Sequence, residues 1–202
     1  LGDNQTVALG QSADGAMWFA GFPPIGKALT TRWGGGNDWV PYWLGEGKEN
    51  QVVSMLRAQD GGLWLGTWGG AWRFAGGDPL VDASWQLYTQ DDGLSNSSVL
   101  SMDQAADGAM WFGTVGGVTR FHDGLWQHFD PGSGLLDGIK RIYVANDDAV
   151  WIGTESGLVR FMRPQTSVAV AVVTNPPPRH YGSDRYFFEV SGRERGAVLE
   201  PL

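Results

Sequence analysis

The chain has 202 residues, with 14 basic against 22 acidic side chains for a net charge of −8, 31 Gly, 11 Trp and no Cys. The acidic balance argues against a nucleic-acid binder that tracks phosphates, and the lack of Cys excludes disulfides, zinc–thiolate sites and Cys nucleophiles. No run of eighteen apolar residues offers a membrane-spanning helix, and abundant Gly beside abundant Trp points to tight turns between short, buried strands. The chain begins at Leu1 without Met or a signal peptide, so it reads as a processed or excised piece.

Four segments align along the chain. They are Asp14-Gly-Ala-Met-Trp18-Phe-Ala-Gly21, Asp60-Gly-Gly-Leu-Trp64-Leu-Gly-Thr67, Asp107-Gly-Ala-Met-Trp111-Phe-Gly-Thr114 and Asp147-Asp-Ala-Val-Trp151-Ile-Gly-Thr154. Successive Trp residues fall 46, 47 and 40 residues apart. In the last three copies a Gly and an Arg-Phe pair follow at fixed offsets: Gly70/Arg73/Phe74, Gly117/Arg120/Phe121 and Gly157/Arg160/Phe161. Copy one is looser, since Arg32-Trp33 comes about five residues late, with an insertion around Phe22–Ile25.

A period in this range, with several short strands per unit, predicts an all-β propeller built of four-stranded blades, four repeats being present. Copy three shows the strands best. Val99–Met102 is an inner strand, Met110–Val115 a second, Val118–Phe121 a third and Trp126–Phe129 the outer one. Asp107-Gly108, Gly116-Gly117 and Asp123-Gly124 are the turns between them. The second strand is apolar almost throughout, as a strand covered on both faces should be. The Trp residues are expected to lie buried between blades, each beside a small neighbour where backbones approach closely.

The pattern Asp-Gly-x-x-Trp-x-Gly-Thr-x-x-Gly-x-x-Arg-Phe resembles the two-component regulator propeller repeat. Trp111 to Phe121 and Trp151 to Phe161 match closely; copy one departs, with Ala20-Gly21 in place of Gly-Thr. The resemblance covers roughly residues 1–163. It implies a propeller of usually seven blades in the extracytoplasmic sensor of a hybrid histidine kinase or diguanylate cyclase, followed by an immunoglobulin-like Y_Y_Y domain. Propeller blades are therefore expected over 1–165, and a linker with the first strands of that domain over 166–202. Ser167–Val173 and Tyr186–Gly192 would be its strands, with Pro176-Pro177-Pro178 as linker.

Catalytic signals are weak. His122 and His128 fall on the outer part of copy three without a third metal ligand at suitable spacing. Asp91-Asp92 and Asp147-Asp148 read as turns rather than acid–base pairs. The sialidase Asp-box would need Asp where the copies hold Ala13, Gln59 and Ala106. No cofactor and no metal are expected, and the chain is read as a non-enzyme.

Ligand binding is the better expectation. Propeller ligands usually sit at one channel mouth, lined by the loops between second and third strands and by the blade-to-blade loops. These bring Trp68, Asn96, Asp137 and Glu155 forward as candidate ligand-binding residues. An aromatic face among hydrogen-bonding groups suits a sugar or other small molecule. Trp68 is singled out because the matching positions hold Val115 and Glu155, so the repeat itself does not require Trp there.

The expected function is thus a ligand-sensing, periplasmic or extracellular propeller piece of a two-component or cyclic-nucleotide signalling protein, attached to a membrane only through the rest of a parent chain. A propeller lyase, or a lectin or interaction scaffold without signalling, are the alternatives. Four repeats leave three ways to cover the end blades: closure into a small ring, pairing with a second copy through blade edges, or membership of a larger ring.

Overall fold

In the computed structural model, residues 6–21, 27–33, 39–46, 51–78, 84–129, 138–155, 157–162 and 169–172 are described. They form sixteen strands and no α-helix. The first sheet holds β1 (Thr6–Gln11), β2 (Met17–Gly21), β3 (Lys27–Trp33) and β4 (Trp39–Glu46). The second holds β5 (Val52–Arg57), β6 (Leu63–Thr67), β7 (Ala71–Phe74) and β8 (Trp85–Tyr88). The third holds β9 (Val99–Gln104), β10 (Met110–Thr114), β11 (Gly117–His122) and β12 (Leu125–Phe129). The fourth holds β13 (Ile139–Val144), β14 (Val150–Thr154), β15 (Leu158–Met162) and β16 (Ala169–Val172). Each sheet is an antiparallel meander in chain order.

These sheets are propeller blades. The inner strands β1, β5, β9 and β13 pack against one another in sequence, so the blades stand side by side around a common axis. The strands of copy three fall where the sequence puts them, to within two residues at each end. The insertion in copy one is absorbed between β2 and β3, because Trp18 still pairs with Arg32, as Trp64 does with Arg73 and Trp111 with Arg120. Residues 22–26, at its centre, lie outside the described set.

Each joint between blades follows one recipe. The Trp-bearing face of one blade, its trailing face, meets the opposite, leading face of the next. Trp18 with Ala8, Ala20 and Tyr42 covers Val52, Leu63, Leu65 and Phe74. Trp64 with Ala58 and Ala71 covers Val99, Met102, Met110 and Phe112. Trp111 with Val118 covers Ile139, Ile142, Val150, Ile152 and Phe161. The Gly two residues after Trp64 and Trp111 has a steric reason. A Cβ on Gly113 would lie 2.9 Å from the Ile139 side chain, and one on Gly66 would lie 2.9 Å from the Val99 carbonyl oxygen.

Polar bonds cross the joints too. The Ile142 N–H donates to Ser101 Oγ at 3.0 Å and the Val144 N–H to Asp103 Oδ2 at 2.7 Å, so side chains of β9 satisfy backbone donors of β13. Gln59 donates its backbone N–H to Gln104 Oε1 and its amide to the Ala105 carbonyl, joining the second blade to the third.

Two expectations change. Trp64 and Trp111 are buried between blades as expected, at 3% and 4% exposure, and Trp18 is fully enclosed. Trp151 is only half-buried, because it points from the trailing face of the last described blade and no further blade is formed among the described residues. The strand expected over 167–173 is present as β16, but it pairs with β15 and completes the fourth blade, past the expected boundary at 165. Residues 173–202, with the rest of the expected second domain, lie outside the described residues.

Candidate functional site

The repeat gives each blade two unlike ends. At one end the Asp of each motif organises the turn into the second strand. Asp60 Oδ1 accepts the Gly62 N–H at 2.9 Å and Asp107 Oδ1 the Ala109 N–H at 2.9 Å. The second oxygen binds the repeat's Arg: Asp60 with Arg73 at 2.6 Å, Asp107 with Arg120 at 3.0 Å and Asp147 with Arg160 at 3.1 Å. Each guanidinium also lies over the Trp of its own motif, at 5.8, 6.0 and 5.2 Å from the ring centroid. Asp, Trp and Arg thus recur together as one structural unit. Burial acts to raise the Asp60 carboxyl, but the Gly62 N–H and the Arg73 guanidinium together outweigh it and hold it below its ordinary value.

Clefts open between blades at this end. One of about 350 Å³ is lined by Asp60, Trp64, Arg73, Tyr88, His122 and Asp123. A smaller one, about 180 Å³, recurs at the next joint beside Trp111, Arg120 and Asp148. Their recurrence at matching repeat positions marks them as products of the joint. His122 and His128 lie on β11 and β12, in the outer half of the blade.

The opposite end carries the expected ligand loops. Thr67, Thr114 and Thr154 close the second strand, and each Oγ1 donates to the carbonyl of the Gly that opens the third: Gly70 at 2.8 Å, Gly117 at 2.9 Å and Gly157 at 3.0 Å. Gly70 has a φ of 152°, and a Cβ there would lie 2.5 Å from the Tyr88 carbonyl oxygen, so the tight loop admits only Gly. This explains the Gly-Thr-x-x-Gly spacing.

Trp68 stands on such a loop, 42% exposed, with its carbonyl accepting the Ser98 hydroxyl at 3.0 Å. Asn96 lies in the following blade-to-blade loop, and its Oδ1 accepts the Ser98 N–H at 2.8 Å. Ser98 therefore ties Trp68 and Asn96 into one neighbourhood. Glu155 occupies the equivalent loop of the fourth blade. Its carboxylate is ion-paired with Lys140 and its N–H donates to the Gly138 carbonyl at 3.0 Å. The hydrogen bond from Lys140, with its charge, pulls the Glu155 carboxyl below its usual range. Asp137 lies outside the described residues. The three described candidates are at one end of the blades, Trp68 and Asn96 together and Glu155 at the loops of the next joint.

Sequence reasoning missed a hydroxyl cluster beside Asn96. The Thr119 hydroxyl donates to Ser95 Oγ at 2.8 Å, Ser95 Oγ lies 3.0 Å from Thr114 Oγ1, and the Ser95 N–H donates to Thr119 Oγ1 at 2.8 Å. The run Ser95-Asn96-Ser97-Ser98 was its only signal. Among the described residues no group of three or more His, Asp or Glu side chains could hold a metal ion.

The family model described as two component regulator propeller matches residues 46–69 and 93–116. Both stretches run from a blade-to-blade loop to the loop after the second strand. No functionally curated protein matches the sequence. Among solved structures, the chain is similar to the extracellular domain assigned to a hybrid two component system, BT3049, of B. thetaiotaomicron (14% identity, TM-score 0.63, 98% of this chain and 26% of that one). It is also similar to virginiamycin B lyase from Staphylococcus aureus (16% identity, TM-score 0.60, 87% and 57%). YCF48 from Cyanidioschyzon merolae is a third (15% identity, TM-score 0.56, 81% and 52%). The chain spans less than two thirds of each of these proteins, and at such identities the likeness concerns the fold.

Proposed function

We propose that the chain is the ligand-binding propeller part of an extracytoplasmic sensor in a two-component or cyclic-nucleotide signalling protein. It takes a small molecule or sugar on the blade end that carries Trp68, Asn96 and Glu155. The observation that carries the reading is Trp68: an exposed indole where the other repeats place Val115 and Glu155, on a loop joined through Ser98 to Asn96. The repeat does not need it, since the joints are built from Trp18, Trp64 and Trp111. An indole face takes the apolar side of a pyranose ring, and neighbouring amide and hydroxyl groups take its edge. The family match supports the sensor reading. In it the propeller does no chemistry, and a kinase or cyclase elsewhere in a parent chain supplies the output.

The test is a binding screen of oligosaccharides and small metabolites by thermal shift, with hits confirmed by calorimetry on wild type and Trp68→Ala. The reading expects a ligand whose affinity falls at least about tenfold in Trp68→Ala, with unchanged melting of the free protein. A ligand bound equally well by both proteins would move the site away from this loop.

A further inference from the structure

The joints leave clefts at the Asp-turn end of the blades, and the one between the second and third blades departs from the repeat. It holds about 350 Å³ against about 180 Å³ at the next joint. Tyr88 stacks on Trp64 at 5.3 Å, as Phe129 stacks on Trp111 at 5.6 Å. The two rings hold one register position, Tyr88 opposite Ala71 and Phe129 opposite Val118. The joint therefore uses the ring and has no need of the Tyr88 hydroxyl. That hydroxyl makes no hydrogen bond among the described residues. Burial raises the phenol above its ordinary value, so it keeps its proton near neutrality.

Arg73 is the second departure. Arg120 gives one nitrogen to Asp107 at 3.0 Å and another to Gln127 Oε1 at 3.1 Å, and its side chain is 10% exposed. Among the described residues Arg73 donates hydrogen bonds to Asp60 alone, although Gln86 holds the register position of Gln127. Its side chain is 28% exposed, and its remaining N–H groups are left to the cleft. The third blade supplies the other wall. Phe121 and His122 end β11 there, and Asp123 follows in the two-residue turn to β12, with a φ of 50°. The Asp123 side chain is 84% exposed, and its ion-pair partner among the described residues is His122 Nε2 at 3.3 Å.

We propose that this cleft is a second ligand site, for a free α-amino acid, at the end of the blades opposite Trp68. The Tyr88 O–H and the spare Arg73 N–H groups receive the ligand's carboxylate, the Asp123 carboxylate receives its ammonium group, and its side chain rests on Phe121. The cleft's volume falls at the lower end of small-molecule sites, roughly 300–1,000 Å³. Both ligand charges are needed. The lining carries Asp60, Asp107 and Asp123 against Arg73 and His122, so a simple anion meets no net positive charge. A simple cation makes no use of the Arg73 and Tyr88 donors. A zwitterion uses both halves, one from each blade.

The test is ligand-observed NMR of the full 202-residue chain with each of the common L-amino acids, then calorimetry of any hit on wild type, Tyr88→Phe and Asp123→Asn. Tyr88→Phe installs the residue type that the third blade carries at Phe129, and Asn tolerates the positive φ of this turn. Both variants should therefore fold, checked by circular dichroism and melting. At least one amino acid should bind with a Kd below about 1 mM. Its affinity should fall at least about tenfold in Asp123→Asn and about three- to tenfold in Tyr88→Phe. Its N-acetyl and amide derivatives, each lacking one charge, should bind at least about tenfold more weakly. Trp68→Ala should change none of this. Absence of amino-acid binding at millimolar concentration would overturn the proposal. So would binding that both variants retain in full, that the N-acetyl derivative matches, or that only Trp68→Ala removes.

Discussion

Trp111 and Trp151 hold the same place in successive repeats. Each pairs across strands with an Arg, Arg120 or Arg160, whose guanidinium lies over its ring. Around Trp111 the fourth blade adds the Phe161 ring at 5.5 Å, and the Phe129 ring of its own blade stacks on it at 5.6 Å. Around Trp151 no further blade is formed among the described residues, and its strand neighbour Tyr143 is 60% exposed. The local code of a blade is therefore complete within one repeat, while burial is conferred by the next. Asp–Arg–Trp units form in the second, third and fourth blades, but the hydrophobic gain accrues only where a leading face is supplied.

The comparison is broken most sharply by truncating the two indoles. Trp111→Ala should cost about 3–5 kcal/mol in denaturant unfolding, as for a large core aromatic. Trp151→Ala should cost less in the single chain, because its ring is already partly exposed. Equal losses would mean that Trp151 is covered.

The glycines give a second contrast. Gly113→Val should destabilise by about 1–3 kcal/mol, because its side chain collides with Ile139 across the joint. Gly153→Val should be within about 0.5 kcal/mol of wild type in the single chain. A large loss there would show that the space beside Gly153 is filled.

A third contrast lies between the first and third blades. Trp18 donates its indole N–H to Ser12 Oγ at 2.9 Å, whereas Trp111 Nε1 is buried without an acceptor among the described residues. The position matching Ser12 is Ala105. Ala105→Ser should add that acceptor and stabilise the chain by about 0.5–1.5 kcal/mol, read as a higher denaturation midpoint.

The smallest effect is electrostatic. The folded Asp60 carboxyl titrates below its unfolded value, so its contribution is present above the unfolded pKa near 3.9 and is lost as pH falls through the lower folded one. Asp60→Asn should therefore flatten the acid limb of the stability–pH curve below about pH 4 and leave its shape near neutrality unchanged. An identical acid limb would show that the pair with Arg73 contributes nothing.

The blades were legible because their signals are local. Asp-Gly turns, the Trp spacing and the Arg-Phe offset each report on contacts within one sheet, and the register bears this out even across the insertion before β3. Burial of Trp151 was not legible, because a repeat carries no mark saying whether another blade follows it. By sequence alone the fourth blade's outer strand reads as part of the following domain. Ala169–Val172 alternates like any strand, and only its pairing with β15 reveals which sheet it joins. At the loop end Trp68 stood out by breaking the repeat. The Ser95–Thr114–Thr119 cluster did not, since Ser and Thr in a turn usually serve the local backbone.

The most direct test of whether an incoming blade confers burial is hydroxyl-radical footprinting read by mass spectrometry at concentrations where the chain is single. Trp18, Trp64 and Trp111 should be strongly protected, while Trp151 and Tyr143 are modified at rates approaching those of the exposed Trp68. Uniform protection of all four motif Trp residues would contradict the account, as would modification of Trp111 at the rate of Trp151.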